Sequence, residues 1–385
     1  MTFWQLIGYF VRLGATGFGG PAALADRMRH DLVEARGWIS PDEYDMGLAI
    51  SAASPGPLAF QLAVYCGYVR RGLVGALGVA VAFALAPFVL VVAVAALYAS
   101  FSASLLLRGI FYGVGPIVVA LIVRACWSLG RKTLGSHPVS WLIAVSAFVV
   151  SIVTGREPTL AILLAGAVGA VLLAPVVKSS ARPAATSGAS SSSLSLAVAI
   201  TTLTTAPTAA AGPSAVFSFF FKTGCFVFGS GLVIAPFLRS AVVSEFQWLT
   251  DQQFRDAIAV GLVSPGPVVI TATFVGYVVD GLRGALAATV GIFAPAVVFT
   301  VVLAPLFARF GADPRVKGFI RGVTTAVVGV LAATAPLIAT DAVNDVATFA
   351  LFGGSLALLA FRKVPEPLVV GAGAAVGVTV RLLAA

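Results

Sequence analysis

Charge is what this sequence has least of. Only 10 % of its 385 residues are Asp, Glu, Lys or Arg, against about 25 % in a typical soluble domain. That shortage excludes an ordinary cytosolic enzyme, a disordered chain and a nucleic-acid binder. No basic run exceeds two residues (Arg70-Arg71, Arg131-Lys132, Arg362-Lys363), too short to track a phosphate backbone. Cysteine is scarce as well. Cys66, Cys126 and Cys225 sit singly in apolar runs with no CxxC spacing, which excludes a zinc ribbon or a redox pair. His30 and His137 have no partner at metal spacing, so no metal or other cofactor is expected. There is no Walker-type glycine loop, so this chain alone does not burn ATP. The N-terminal run lacks a basic n-region and carries Arg12 inside it, unlike a cleaved signal peptide. Acids are missing from the centres of the apolar segments. Asp45, Asp256, Asp280 and Asp341 read as segment ends, and Asp26, Asp31 and Glu34 as loop residues. A cation channel or sodium pump would normally want carboxylates in its path.

What is abundant is apolar surface: 59 % of the residues and a mean hydropathy of +1.03. A membrane-crossing helix needs about 20 apolar residues, so ten take about 200 and twelve about 240. The expectation is an all-α integral membrane protein with 10–13 membrane helices, some broken or re-entrant. Its formal charge of +9 is that of cytoplasmic loops facing anionic headgroups.

The chain is a duplication. Ser54-Pro55-Gly56-Pro57 returns as Ser264-Pro265-Gly266-Pro267. At the same offset and without a gap, Phe10, Gly14, Phe18-Gly19, Arg29 and Trp38 meet Phe220, Gly224, Phe228-Gly229, Arg239 and Trp248, while Arg12 meets Lys222. After a one-residue gap, Gly67-Tyr68 and Gly72-Leu73 meet Gly276-Tyr277 and Gly281-Leu282. The units are residues 1–178 and 214–385, joined by a Ser/Ala/Thr-rich linker at 179–213. Each opens with an apolar segment holding a Phe-Gly motif (3–24; 214–238) and an amphipathic stretch. A long segment broken by Ser-Pro-Gly-Pro follows (44–69; 256–279). The next four segments are 72–100, 107–130, 139–154 and 158–177 in the first half, and 282–308, 318–340, 346–361 and 367–383 in the second. The last two of each half are short enough to form a tight hairpin instead of two full spans.

Loop charges give the relative orientation. Arg70-Arg71, Arg131-Lys132 and Lys178 with Arg182 mark alternate loops of the first half. In the second half the pattern shifts by one loop, to Arg309, Arg315, Lys317 and Arg321, then Arg362-Lys363. By the positive-inside rule, homologous loops then lie on opposite faces. This predicts inverted repeats, a transporter architecture with its site near the midplane where the copies meet.

Two motifs fit such a site. Prolines remove backbone N–H groups and glycine permits unusual angles, so Ser-Pro-Gly-Pro breaks a helix. Its freed polar groups are tolerated at membrane depth only beside protein or water. The Gly14-x-x-x-Phe18-Gly19-Gly20-Pro21 stretch and its partner Gly224-x-x-x-Phe228-Gly229-Ser230-Gly231 form glycine turns. Such a turn can open a helix with its N–H groups towards an anion. Arg12 and Lys222 precede these turns inside apolar runs, where a cation normally marks a substrate path or a buried pair. The hydroxyls of Ser54, Ser264, Ser230, Thr271 and Thr273 are candidate donors to an oxyanion.

The paired Phe-Gly turns, Trp38 followed by Ser40-Pro41-Asp42-Glu43-Tyr44, and the duplicated Ser-Pro-Gly-Pro resemble the chromate ion transporter family in its long, two-domain form. The resemblance is strongest over 10–90 and 220–300. It implies a transporter, not an enzyme, that exports chromate across the bacterial inner membrane and confers chromate resistance, with sulfate as the natural look-alike. The second copy departs from the first: Gly20-Pro21 becomes Ser230-Gly231, and Asp42-Glu43 becomes Gln252-Gln253. The expected partners are a chromate- or sulfate-like oxyanion and the lipid bilayer, with no nucleic acid. Assembly as a homodimer is an open expectation. Uptake of sulfate or a related oxyanion, and passive anion conduction, are the alternative readings.

Overall fold

Glycine and proline cut the chain where hydropathy alone would run it together. The structure, a computed structural model, describes residues 1–18, 20–101, 105–154, 159–173, 212–229, 238–310, 314–361 and 364–383. The expected linker therefore lies outside the described residues, apart from its last two positions.

Helix α1 (Phe3–Thr16) starts on a capping box between Thr2 and Gln5 and stops at Gly17. Helix α2 (Gly20–Arg29) continues through a π-helical turn at His30–Ala35. It folds back along α1, for Arg27 donates to the Thr16 carbonyl at 3.1 Å and the Tyr9 hydroxyl donates to Asp31 at 3.1 Å. Helix α3 (Pro41–Ala53) carries a Ser40/Glu43 capping box and a proline in its first turn. The Ser40 N–H and hydroxyl, and then Arg70, hold the Glu43 carboxyl below its ordinary range. Ser54–Pro57 reverses the chain into α4 (Leu58–Phe101). Glu43 pairs with Arg70 at 3.2 Å at the open end of this second hairpin, and Gln61 meets Ser54 near its tip.

Helix α4 is itself two arms. Arg71 and Gly72 leave helical geometry, Gly72 with φ +58°, a left-handed conformation that favours glycine. Gly67 and Gly75 then stack backbone to backbone across the turn. Helices α5 (Leu105–Thr133), α6 (Pro138–Thr154) and α7 (Thr159–Leu172) complete the half.

The second half repeats the plan. Helix α8 (Pro213–Gly224) matches α1, a π-helical turn at Ser240–Glu245 matches that at His30–Ala35, and α9 (Asp251–Val263) matches α3. A short turn at Val268–Ile270 leads into α10 (Thr271–Phe310), which doubles back at Asp280–Gly281 as α4 does at Gly72. Helices α11 (Pro314–Ala342), α12 (Val346–Phe361) and α13 (Glu366–Leu383) follow.

Equivalent helices run in opposite directions. Tyr98, near the far end of α4, packs against Phe274 at 5.2 Å, and Phe60 against Phe293 at 4.4 Å. Phe274 lies between Ser-Pro-Gly-Pro and the Gly281 turn, so the far end of α4 shares a face with that turn. The Gly72 turn is at the other face. The outer helices are exchanged between halves. Arg124 of α5 pairs with Glu366 of α13 at 3.4 Å, while Gly109 of α5 meets Val378 near the other end of α13. Reciprocally, Gly322 of α11 packs against Ala165 and Gly169 of α7. The short helices α6 and α7 pack on α11 of the other half more than on each other, so the tight-hairpin expectation gives way to an interlocked arrangement.

Five described helices are long and apolar enough to cross a membrane: Leu58–Ser100, Gly109–Arg131, Val268–Val302, Arg321–Thr340 and Glu366–Leu383. The first and third contain the Gly72 and Gly281 turns. Pro138–Val153, Ala161–Leu172 and Val346–Phe361 are apolar but shorter.

Close backbone approach predicts which glycines bear weight. A Cβ on Gly322 would run into the Ala165 carbonyl, whereas one on Gly353 meets nothing within 4 Å. Gly322→Val is expected to cost about 1–3 kcal/mol through overpacking and to lower the thermal unfolding midpoint in detergent. Gly353→Val should leave it unchanged.

Candidate functional site

Each Ser-Pro-Gly-Pro tip docks on the glycine turn of the opposite half. The Gly56 N–H donates to the Val227 carbonyl at 2.5 Å. Two short parallel strands result, β1 (Gly56–Pro57) and β2 (Phe228–Gly229), with Gly56 opposite Phe228 and Pro57 opposite Gly229. The reciprocal bond runs from the Gly266 N–H to the Gly17 carbonyl at 2.8 Å. The two motifs expected separately thus form one junction on the axis relating the halves.

Local chemistry explains the tips. Pro55 and Pro57 cannot donate, so α3 ends and Ser54 caps it, its N–H and hydroxyl both donating to the Ile50 carbonyl at 3.0 and 2.8 Å. Ser264 closes α9 in the same way, N–H to Val260 and hydroxyl to Gly261, both at 2.9 Å. Gly56 has φ +140°. A Cβ there would sit 2.6 Å from the Gln61 amide and 2.9 Å from the Ala296 methyl. Gly266 has φ +86° and lies against Pro87. Directly after the first tip, α4 begins at Leu58. The first-turn N–H groups of a helix have no partner within it, and its positive dipole end points the same way.

Among the described residues, the expected hydroxyl donors already have partners. Besides Ser54 and Ser264, Thr271 donates to the Val268 carbonyl at 2.9 Å. Thr273 and Thr289 share a hydrogen bond at 2.7 Å, and Thr289 donates onward to Ala285. These side chains satisfy the broken backbone, which leaves peptide N–H groups as the donors at the tips. Ser230, Gly231 and Gly19 lie outside the described residues. Gly20 opens α2, Pro21 is half-buried in its first turn, and Gly229 is in β2.

The two cations lie on the helices that lead into the glycine turns, α1 and α8. Arg12 is exposed. Two residues before Gly14, it lies about 200° around the helix from the face that packs on Phe83. Lys222 holds the same place relative to Gly224 on α8 and is half-buried.

Sequence reasoning missed two residues. Gln61 is fully buried, and its amide N–H donates to Ser54 Oγ at 3.0 Å and to the Pro55 carbonyl at 2.6 Å. It was legible only as a lone amide in an apolar run, at the position Thr271 holds in the second half. Asp256 corrects an expectation. Instead of ending a segment, it lies within α9 at 2 % exposure, with the Tyr98 hydroxyl donating to it at 2.9 Å. Among the described residues, no group of three or more His, Cys, Asp or Glu is placed to hold a metal ion.

The sequence profile described as "Chromate transporter" matches residues 4–170 and 214–378, one match per half. The chain is 40 % identical over 377 residues to the chromate transport protein of Cupriavidus metallidurans, covering 98 % of this chain and 92 % of that one. It is 39 % identical to a probable chromate transport protein of Synechococcus elongatus, over 97 % of this chain and 94 % of the relative. The chromate transport protein of Pseudomonas aeruginosa is 34 % identical, over 87 % of this chain and 80 % of its own. No solved structure matches.

The junction's dependence on Gly56 can be measured directly. Gly56→Ala is expected to part β1 from β2 at a cost of about 1–3 kcal/mol. Amide hydrogen exchange in peptides spanning 54–60 and 224–229 should then quicken about tenfold, with α6 and α12 unchanged.

Proposed function

The chain belongs to the chromate transporter family, and from that premise we propose that it is a secondary transporter exporting chromate from the bacterial cytoplasm across the inner membrane. The reciprocal junction is its oxyanion site. The observation that carries this reading is the pairing of each Ser-Pro-Gly-Pro tip with the opposite glycine turn. It concentrates peptide N–H groups and helix N-termini where the halves meet, the arrangement that favours an anion.

Placing the Arg70-Arg71 turn in the cytoplasm, by the positive-inside rule, puts the Asp280–Gly281 turn outside. The re-entrant hairpins of the first half then enter from the cytoplasm and those of the second from outside. Each face has its own pair of tips leading to one junction, which suits alternating access. Arg12 and Lys222, which precede the two glycine turns on α1 and α8, draw anions towards the junction by long-range attraction.

Membrane potential supplies a driving force. Moving one charge across 100 mV is worth about 2.3 kcal/mol, so a dianion leaving an inside-negative cell gains about twice that. The names of the full-length relatives favour chromate over sulfate.

The test is chromate accumulation in cells expressing the wild type, Pro55→Ala/Pro57→Ala or Pro265→Ala/Pro267→Ala. The wild type should lower accumulation severalfold, and each double variant should restore the level of cells lacking the gene. Equal accumulation with and without the wild type overturns export. Single-channel currents from the purified chain would replace it with passive conduction.

A further inference from the structure

We propose that Asp256 and Tyr98 form a proton-binding site through which the protein exchanges a proton for the outgoing oxyanion. The inference rests on the export reading above and adds the coupling ion to it.

The geometry is specific. Asp256 is 2 % exposed and Tyr98 8 % exposed, one on the second half and the other on the first, joined by the 2.9 Å hydroxyl–carboxylate bond. The Tyr98 ring is clamped between Phe111 of α5 and Phe274 of α10. Among the described residues no Lys or Arg nitrogen lies within ion-pair distance of Asp256. The titratable groups acting on it are Tyr98 from α4 and the adjacent Arg255 on α9. The rings that α5 and α10 bring to this place carry no charge. A buried carboxylate without an ion pair is expensive to keep ionised, so its retention calls for a function. The scaffold does not require it, since Met46, exposed, holds the equivalent place in the first half.

Its position suits coupling. Asp256 lies about two turns before Ser264, on the helix that ends in the second tip. Tyr98 lies on the arm of α4 whose Pro87 packs against Gly266 of that same tip. Protonation therefore acts on a bond between the two elements that form the junction. The ionised carboxylate accepts from Tyr98 and ties the halves together. The neutral acid needs less from its surroundings and slackens the tie. In each cycle the carboxylate takes one proton from the outer water and releases it to the cytoplasm, while one dianion moves out. Three elementary charges then move down the potential where two would move without the proton.

The test uses the full chain in proteoliposomes, with the potential clamped by a potassium gradient and valinomycin. Chromate flux is followed on the alkaline side of neutrality, where the substrate itself carries no proton. A one-unit pH gradient should shift the wild-type steady-state chromate ratio about tenfold, the factor for one proton per anion. Asp256→Asn should lose that response, whatever its rate under potential. Tyr98→Phe should displace its pH midpoint, and Met46→Leu should leave it alone. A wild type indifferent to the pH gradient, or an Asn variant that responds as the wild type does, overturns the proposal. If Asp256→Asn unfolds, Asp256→Glu replaces it: a displaced midpoint supports the site and an unchanged one overturns it. Failure of the export reading is distinct: either no chromate moves under potential, or the purified chain gives single-channel currents.

Discussion

Peptide groups buried at membrane depth must be satisfied by protein, because hydrocarbon offers nothing to bond with and each orphan costs several kcal/mol. This constraint organises the whole structure. Two proline-broken tips and two glycine turns bring unpaired N–H and C=O groups into the middle of the chain. Each half satisfies part of the other's deficit, Gly56 donating to Val227 and Gly266 to Gly17. The serines and threonines nearby take up the carbonyls left at the helix ends. A helix start follows directly on the first tip, at Leu58, and the first-turn N–H groups of a helix have no partner within it.

Interlocking follows from the same economy of contact. For a tip to reach the opposite half, backbones must approach more closely than side chains allow. Gly67 against Gly75 and Gly276 against Gly284 fold each long helix onto itself. Gly113 against Gly373 and Gly377, and Gly322 against Gly169, seat α5 on α13 and α11 on α7 of the other half. Membrane helices gain little from hydrophobic burial against one another, so small residues and close van der Waals contact decide how they pair. Exchange of the outer helices then commits the halves to antiparallel alignment.

Much of the framework is readable from residue order. Segment limits from hydropathy fall within a few residues of α5, α6, α12 and α13, because uniformly apolar runs end where Gly, Pro and charges cluster. The breaks at Ser-Pro-Gly-Pro and the turns at Gly72 and Gly281 follow from residue types that cannot continue a helix. The match of tip to opposite turn was not legible, since two inverted copies allow each tip to meet either turn and periodicity carries no long-range register. The burial of Asp256 was hidden for another reason. From Asp256 to Leu262 every residue of α9 is buried, so no polar stripe separates an inward carboxylate from one at a helix end. Arg12 was legible as a cation inside an apolar run but not in its direction: two residues from Gly14, it is turned outward from the face packed on Phe83.

The halves share a backbone plan and differ in polar content, and the difference bears on mechanism. Gln61 braces the first tip, where Thr271 bonds only its own turn. Glu43 and Gln253 both close capping boxes, yet only Glu43 can tie its hairpin to Arg70 by charge. Asp256 links α9 to α4, while Met46 faces outward. Two inverted copies with identical side chains would be degenerate by symmetry. Unequal side chains on equal backbones remove that degeneracy without disturbing the pairing that satisfies the peptide groups. Duplication thus supplied the shared backbone geometry, and the halves part company at a few buried positions, Gln61 and Asp256 among them.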